Sequence, residues 1–214
     1  MPTTLTMRID ALKNAPDRAG RYWVTFSDGT RLGLYRQTVE DFGLYTGQEL
    51  TEAEYAKLTE AAGQMSAKMR AVRIVSASAV SKRDLEQRLV QKGEDPNQAK
   101  AAVEWMADLK LVDDRQTAAN VVSRCAAKGY GLQRAKQALY EKKIPKEYWE
   151  EALADYPDQT DRIEEFLRSR LGDAPTDKET KRAIDALLRR GHGWSEIRRA
   201  LNNVVSGAEK FREE

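Results

Sequence analysis

The sequence predicts a mainly α chain: an elongated tandem array of three-helix repeats, three in number, preceded by a small β-rich N-terminal domain. Three observations carry that expectation. Apolar residues alternate with period two as far as about residue 50, and from Thr51 onward they recur with the helical period of 3.6. Helix-opening caps recur along the rest of the chain, each a Ser, Thr or Asp followed three residues later by an acid or an amide. Finally, Ser81, Gly131 and Gly193 each precede apolar residues at the fourth and eighth positions after them: Leu85 and Leu89, Ala135 and Leu139, Ile197 and Leu201. A helical unit that cannot bury its own stripe alone repeats in this way.

Taken in order, Leu5, Met7 and Ile9 read as one strand, and Tyr22, Val24 and Phe26 as a second. Asp28-Gly29 turns the chain into a third strand at Arg31 to Leu34, making a hairpin with a primed turn. Thr38 to Phe42 forms a helical turn. Thr51 and Glu54 make a capping box for a helix with Tyr55 and Leu58, and a second helix from Gln64 to about Ser78 shows Met65, Met69, Val72 and Val75 on one face. Ser81 opens the next helix, with Leu85 and Leu89 inward and Gly93 at its end. Asp95 caps the following one, with Pro96 at its first position, Gln98 completing the box, and a stripe of Ala99, Ala102, Val103, Met106 and Leu109.

Asp113 and Asp114 can each cap the next helix, whose stripe is Ala118, Val121, Val122 and Cys125. Gly129 and Gly131 flank Tyr130, and either glycine could take the left-handed conformation that reverses the chain. Leu132, Ala135 and Leu139 follow, and a third helix starts at Pro145 with Tyr148, Trp149, Ala152 and Leu153. Beyond Pro157 come Ile163, Phe166, Leu167 and Leu171, ended by Gly172. Thr176 and Glu179 box a helix with Ala183, Ile184, Leu187 and Leu188, and the turn Gly191-His192-Gly193 leads to Ile197, Leu201, Val204 and Val205. Pro96 and Pro145 are 49 residues apart, whereas Gly131 and Gly193 are 62 apart, because Asp158 to Gly172 supplies an extra helix. The expected divisions are an N-terminal domain at 1–50, repeats at 51–110, 111–156 and 157–206, and a frayed tail at 207–214.

Composition narrows the function. The 36 basic and 34 acidic residues leave a formal charge of +2, so any polyanion partner must be met by local clusters. A single cysteine allows no internal disulfide and suits a reducing compartment. There is no run of 18 apolar residues and no signal-peptide layout at the start, so a cytoplasmic chain without a membrane partner is expected. The one histidine, His192, falls in what reads as an exposed turn with a structural role. Cys125, on an apolar stripe, reads as an inert buried thiol. No metal-ligand cluster, phosphate-cradling glycine loop or Ser-His-Asp set can be assembled, so no enzyme, cofactor or metal is expected.

Charge clustering is the positive signal. Arg124, Lys128, Arg134, Lys136, Lys142, Lys143 and Lys146 face one acid, Glu141, across a single stretch. Lys181, Arg182, Arg189, Arg190, Arg198 and Arg199 form a second cluster. Such segregation suits a polyanion or an acidic protein surface; for any one residue, a solvated helix face is the simpler reading. Helical geometry puts Arg124 and Arg134 more than about 100° from their stripes, hence outward. Lys142 lies nearer its stripe and is placed to snorkel along it. The candidate interface is Arg124, Lys128, Tyr130, Arg134, Lys136, Lys142 and Lys143, together with Arg189, Arg190, Arg198 and Arg199.

These residues resemble a known family. Leu111-Val112-Asp113-Asp114, Ala118, Arg124 and the run from Lys128-Gly129-Tyr130-Gly131 through Arg134 and Leu139 to Lys142 are similar to the central signature of the bacterial RecX regulators. Ser81, Asp84, Leu85, Leu89 and Lys92-Gly93 fit the first repeat of that family, and the strand-rich start resembles the longer N-terminus of some members. Two departures stand out: Ala135 where isoleucine or leucine is common, and Lys143 in place of a glycine. The resemblance implies a monomeric, non-enzymatic modulator of the RecA recombinase, a curved array lying in the groove of the RecA-DNA filament. There it would restrain ATP hydrolysis, strand exchange and RecA-promoted repressor cleavage, touching single- or double-stranded DNA directly or through RecA. A stand-alone DNA-binding helical module is the alternative, and an inert scaffold repeat a third.

Overall fold

A computed structural model of the chain describes residues 6–172 and 175–210, with the side chains of the last helix described as far as Val205. The chain divides between Val112 and Asp113 into two compact units. The fold is mainly α, with a small antiparallel sheet at its start, as the two periodicities require.

In the first unit, β1 (Thr6–Leu12), β2 (Arg21–Phe26), β3 (Arg31–Tyr35) and β4 (Glu49–Thr51) form one antiparallel sheet in the order β3-β2-β1-β4. The Asp28-Gly29 turn places Thr25 opposite Arg31 and Val24 opposite Leu32. Helix α1 (Arg36–Asp41) follows β3 directly. The inward residues Ile9, Val24, Phe26, Leu34 and Leu50 form a core that the sheet cannot close alone. Leu58 and Ala62 of α2 (Glu52–Ala77) complete it, and the Tyr55 ring stands edge-on to Phe26 at 5.0 Å. The other half of α2 packs with α3 (Lys82–Gln91) and α4 (Pro96–Asp108) around Ala67, Ala71, Leu85, Leu89, Ala102 and Met106.

Several expectations for this unit are corrected. Residues 52–77 form one helix of 26 residues, not two, and its buried stripe is Leu58, Ala62, Ala67 and Ala71, with Met65 and Met69 only half-buried. Small residues face inward because α4 approaches closely. A Cβ on Gly63 would overlap the Gln98 amide, so this glycine makes room for a neighbour instead of breaking the helix. Gln98 is thus drawn against α2; the α4 cap is made by the Asp95 carboxylate, which accepts from the N–H groups of Asn97 and Gln98. Leu109, assigned to the α4 stripe, is 49% exposed, because it is already the cap residue of a helix that has ended.

In the second unit, α5 (Asp114–Ala127) opens on Asp113, whose carboxylate accepts from Gln116 N–H. It packs on α6 (Leu132–Glu141) and α7 (Trp149–Leu153) through Ala118, Val122, Leu139 and Ile144. Pro145 precedes a 3-10 turn, Lys146–Tyr148, so the third helix of this repeat becomes α-helical only at Trp149. Helices α8 (Thr160–Arg170), α9 (Asp177–Arg189) and α10 (Trp194–Lys210) share a core of Ile163, Leu167, Leu187, Ile197 and Ala200. The Thr176-Glu179 capping box forms as expected. Gly207 does not end α10, which continues to Lys210; the rest of the expected tail, 211–214, lies outside the described residues. Leu188 and Val205 are exposed, at the edges of their stripes.

Candidate functional site

The second unit is organised by two glycine turns that dock on each other. Lys128 closes α5 and Gly129 takes the left-handed conformation (φ 67°); Arg190 and Gly191 (φ 83°) do the same after α9. Gly131 N–H donates to Arg190 C=O at 2.9 Å, and Gln133 N–H donates to Gly191 C=O at 3.1 Å. A side chain at Gly131 would run into the Gly191 carbonyl, and one at Gly191 would meet the Arg134 backbone nitrogen. The backbones touch because neither residue has a side chain.

His192 corrects an expectation. It is 4% exposed, not on the surface, and its Nε2 lies 3.1 Å from the Gly129 carbonyl. Facing an acceptor, Nε2 carries the proton, which leaves Nδ1 a buried acceptor with no hydrogen-bond partner among the described residues. Burial is the main cause that lowers the pKa of this ring, and the Arg190 charge adds to it, so the imidazole is neutral at pH 7. The role remains structural, but as a pin between the two turns. Tyr130 is held there too: its carbonyl accepts from Tyr156 Oη at 2.6 Å, and burial pushes the Tyr156 phenol up to about 12. The Cys125 thiol is buried and its pKa raised by that burial, opposite to what a reactive thiolate needs.

The predicted basic residues separate around these turns. Arg124 and Lys128 are exposed on α5. Arg134 does not project freely: its guanidinium holds Glu141 at 3.0 Å, and this bond, with one from Gln137, lowers the Glu141 pKa. Lys136, Lys142 and Lys143 are half-buried. Lys143 has φ 55°, so it occupies the left-handed position that a glycine would take. Arg198 is exposed, whereas Arg199 reaches back to Thr160 Oγ1 at 2.7 Å and Asp158 at 3.5 Å.

The structure brings together a different set. A groove of about 540 Å³ between α8 and α9 is lined by Arg170, Arg182, Arg189 and Arg190 around Phe166. Phe166 and Arg190 also line a smaller hollow of about 260 Å³ that takes in Lys128, Arg162 and His192. The Arg190 and Arg170 guanidinium carbons lie 4.6 and 5.6 Å from the Phe166 ring centroid. Arg162 donates to Ala127 C=O at the end of α5, a site where a cation meets the negative pole of the helix. Of the predicted residues, Lys128, Arg189 and Arg190 line this furrow; Arg124, Tyr130, Arg134, Lys136, Lys142, Lys143, Arg198 and Arg199 do not. Arg162, Phe166 and Arg170 were missed, although their spacing of four residues puts all three on one helix face.

Among the described residues, no group of His, Cys, Asp and Glu is placed to hold a metal ion. Among them, too, no helix is long and apolar enough to cross a membrane. The family model for the second three-helix domain of RecX matches residues 113–153, which run from the α5 cap to the end of α7. The regulatory protein RecX of Xanthomonas citri is 34% identical over 123 residues, 56% of this chain and 76% of that one. That of Clostridioides difficile is 24% identical over 205 residues, covering 93% and 95% of the two chains. A crystal structure of a regulatory protein RecX superposes with a TM-score of 0.62 at 21% identity, covering 92% of this chain and 99% of the other; it bears on the fold alone.

Proposed function

The chain belongs to the RecX family of regulatory proteins, and from that premise we propose that it is a non-enzymatic modulator of the RecA recombinase. It binds in the groove of the RecA-DNA filament and restrains ATP hydrolysis, strand exchange and RecA-promoted repressor cleavage in the cytoplasm. The observation that supports this most is the likeness to RecX proteins across both units, since the relative from Clostridioides difficile aligns over 93% of the chain. We place the contact on exposed cations of the second unit, Arg124, Lys128, Arg189, Arg190 and Arg198, with the other predicted cations as weaker contributors. Charges of this kind steer a protein towards a polyanionic filament without adding much to its own stability.

The arginine-lined groove favours a second reading, a monomer that binds DNA without RecA. One assay separates the two. RecA ATP hydrolysis on single-stranded DNA should fall as the protein is added, while the protein alone hydrolyses no nucleotide. Unchanged turnover at a concentration where co-sedimentation shows filament binding overturns the first reading. Binding to naked DNA that RecA does not improve supports the second.

A further inference from the structure

We propose that the furrow between α8 and α9 is a binding site for a ligand carrying two or more closely spaced phosphate groups. The proposal stands on the furrow itself and does not depend on the recombinase reading. Four guanidinium groups, from Arg170, Arg182, Arg189 and Arg190, converge on one groove. Its single carboxylate, Glu179, is already engaged, accepting from the backbone and hydroxyl of Thr176 in the capping box. Among the described residues, none of the four arginines makes an ion pair. Four like charges gathered around one carboxylate leave a net positive charge that opposes folding, and an anion arriving from outside relieves that repulsion.

The geometry points to phosphate and to more than one. A guanidinium presents a planar fork of donors that matches two phosphate oxygens at once. Arg190 and Arg170 flank the Phe166 ring, which restricts their motion before any ligand arrives and so lowers the entropy lost on binding. Arg182 and Arg189 lie seven residues apart on α9, nearly the same face, with about 10 Å of axial rise between them. A single phosphate cannot span that distance, whereas consecutive phosphates can. Ala183 and Ala186 line the groove between these arginines, and their small side chains leave the space that the ligand needs.

The smaller hollow extends the same site. It shares Phe166 and Arg190 with the groove and adds Lys128 and Arg162, so six cations meet two carboxylates, Glu165 and Glu179, along the whole furrow. His192 also lines it, and its Nδ1 is a buried acceptor without a partner among the described residues. The cations of the hollow supply donors for further phosphate oxygens of a ligand that carries several. Both a nucleic-acid strand and a free nucleotide have that chemistry.

The test uses the full chain and two probes, sodium tripolyphosphate and a fluorescently labelled short oligothymidylate. The double variant Arg182→Gln/Arg190→Gln should bind each probe that the parent binds at least tenfold more weakly. A control, Arg83→Gln/Lys100→Gln, removes the same charge from exposed positions of the first unit and should stay within about twofold of the parent. Matched circular-dichroism melts establish that both variants are folded. If tripolyphosphate displaces the oligonucleotide from the parent, short polyphosphates suffice as ligands. If the oligonucleotide binds and tripolyphosphate neither binds nor competes, the furrow takes a phosphodiester backbone. Equal weakening in the furrow and control variants overturns the proposal, as does a parent that binds neither probe. Loss of binding in the furrow variant with undiminished inhibition of RecA would uphold the site and separate it from filament regulation.

Discussion

The turns after α5 and α9 have nearly the same local sequence and the same backbone, yet they do different work. Each closes on a basic residue in right-handed conformation, passes through a left-handed glycine, and returns an N–H to a carbonyl five residues back: Tyr130 to Cys125 at 3.0 Å and His192 to Leu187 at 3.2 Å. The residue between the glycines then decides the role. Tyr130 is half-buried and offers its backbone carbonyl to Tyr156, while the His192 ring is buried and donates across to Gly129. The corresponding residue before Ser81 is Val80, also buried, where no glycine flanks the position and Ser81 caps α3 with its own hydroxyl. The repeat therefore fixes a backbone path, the glycines let the two turns dock through their backbones, and the residue between the glycines decides whether a side chain adds to that lock.

Substituting the glycines one at a time should expose the asymmetry. Gly191→Ala combines a left-handed backbone with a clash against the Arg134 backbone, and should cost roughly 3 kcal/mol or more. Gly129→Ala has the backbone strain, but its new methyl presses only on the flexible Arg162 side chain and makes an ordinary contact with Gln159, so the cost should be nearer 1 kcal/mol. Gly193→Ala has no positive φ and only ordinary contacts, so its effect should be within about 0.5 kcal/mol. Urea unfolding at fixed pH gives all three numbers. Equal costs at Gly191 and Gly129 would mean that the turns are not docked as described.

The His192 pin makes a weaker but pH-dependent contribution. Its folded-state pKa is depressed by burial, so the unfolded chain takes up a proton first as pH falls below about 6.5. Its contribution is complete above that value and is lost as the pH moves down towards the folded pKa. His192→Gln keeps a donor for Gly129 C=O and removes the titration. Its stability should therefore change less between pH 7 and pH 5 than that of the parent, with about 1 to 2 kcal/mol lost at pH 7 from poorer packing and hydrogen bonding. Parallel pH profiles for the two proteins would remove His192 from any role in acid sensitivity.

How much of this was legible depended on how local the cause was. The boxes at Thr51-Glu54 and Thr176-Glu179, the Asp95 and Asp113 caps and the place of the Asp28-Gly29 hairpin are set by neighbours within a few residues, and each is legible directly; the hairpin turn is not of the expected primed kind, since Gly29 is left-handed and Asp28 is not. The inward face of α2 was misread, because Met65 and Met69 look more apolar than Ala67 and Ala71 until a close-packed α4 selects for small side chains. The burial of His192 depends on a turn 63 residues away, which no local pattern reports. Likewise, Arg162 and Arg170 lie outside the runs that look basic, and only the packing of α8 beside α9 adds them to Arg182 and Arg190.

The smallest expected effect tests whether the left-handed residue itself, apart from any docking, limits stability. Helices α3, α5 and α9 end on left-handed glycines, Gly93, Gly129 and Gly191, but α4 and α6 place Lys110 (φ 59°) and Lys143 (φ 55°) at the same position. A side chain in that conformation is strained by about 1 kcal/mol, partly offset in Lys→Gly by the greater freedom glycine gives the unfolded chain. Lys110→Gly should therefore stabilise the chain by about 0.5 kcal/mol. Lys143→Gly should gain less, because the Lys143 side chain is half-buried and its removal loses packing, whereas Lys110 is exposed. Thermal melts of both variants beside the parent give the order directly. If Lys143→Gly stabilises as much as Lys110→Gly, the side chain contributes nothing; if both destabilise, these lysines are held by interactions stronger than the strain they carry.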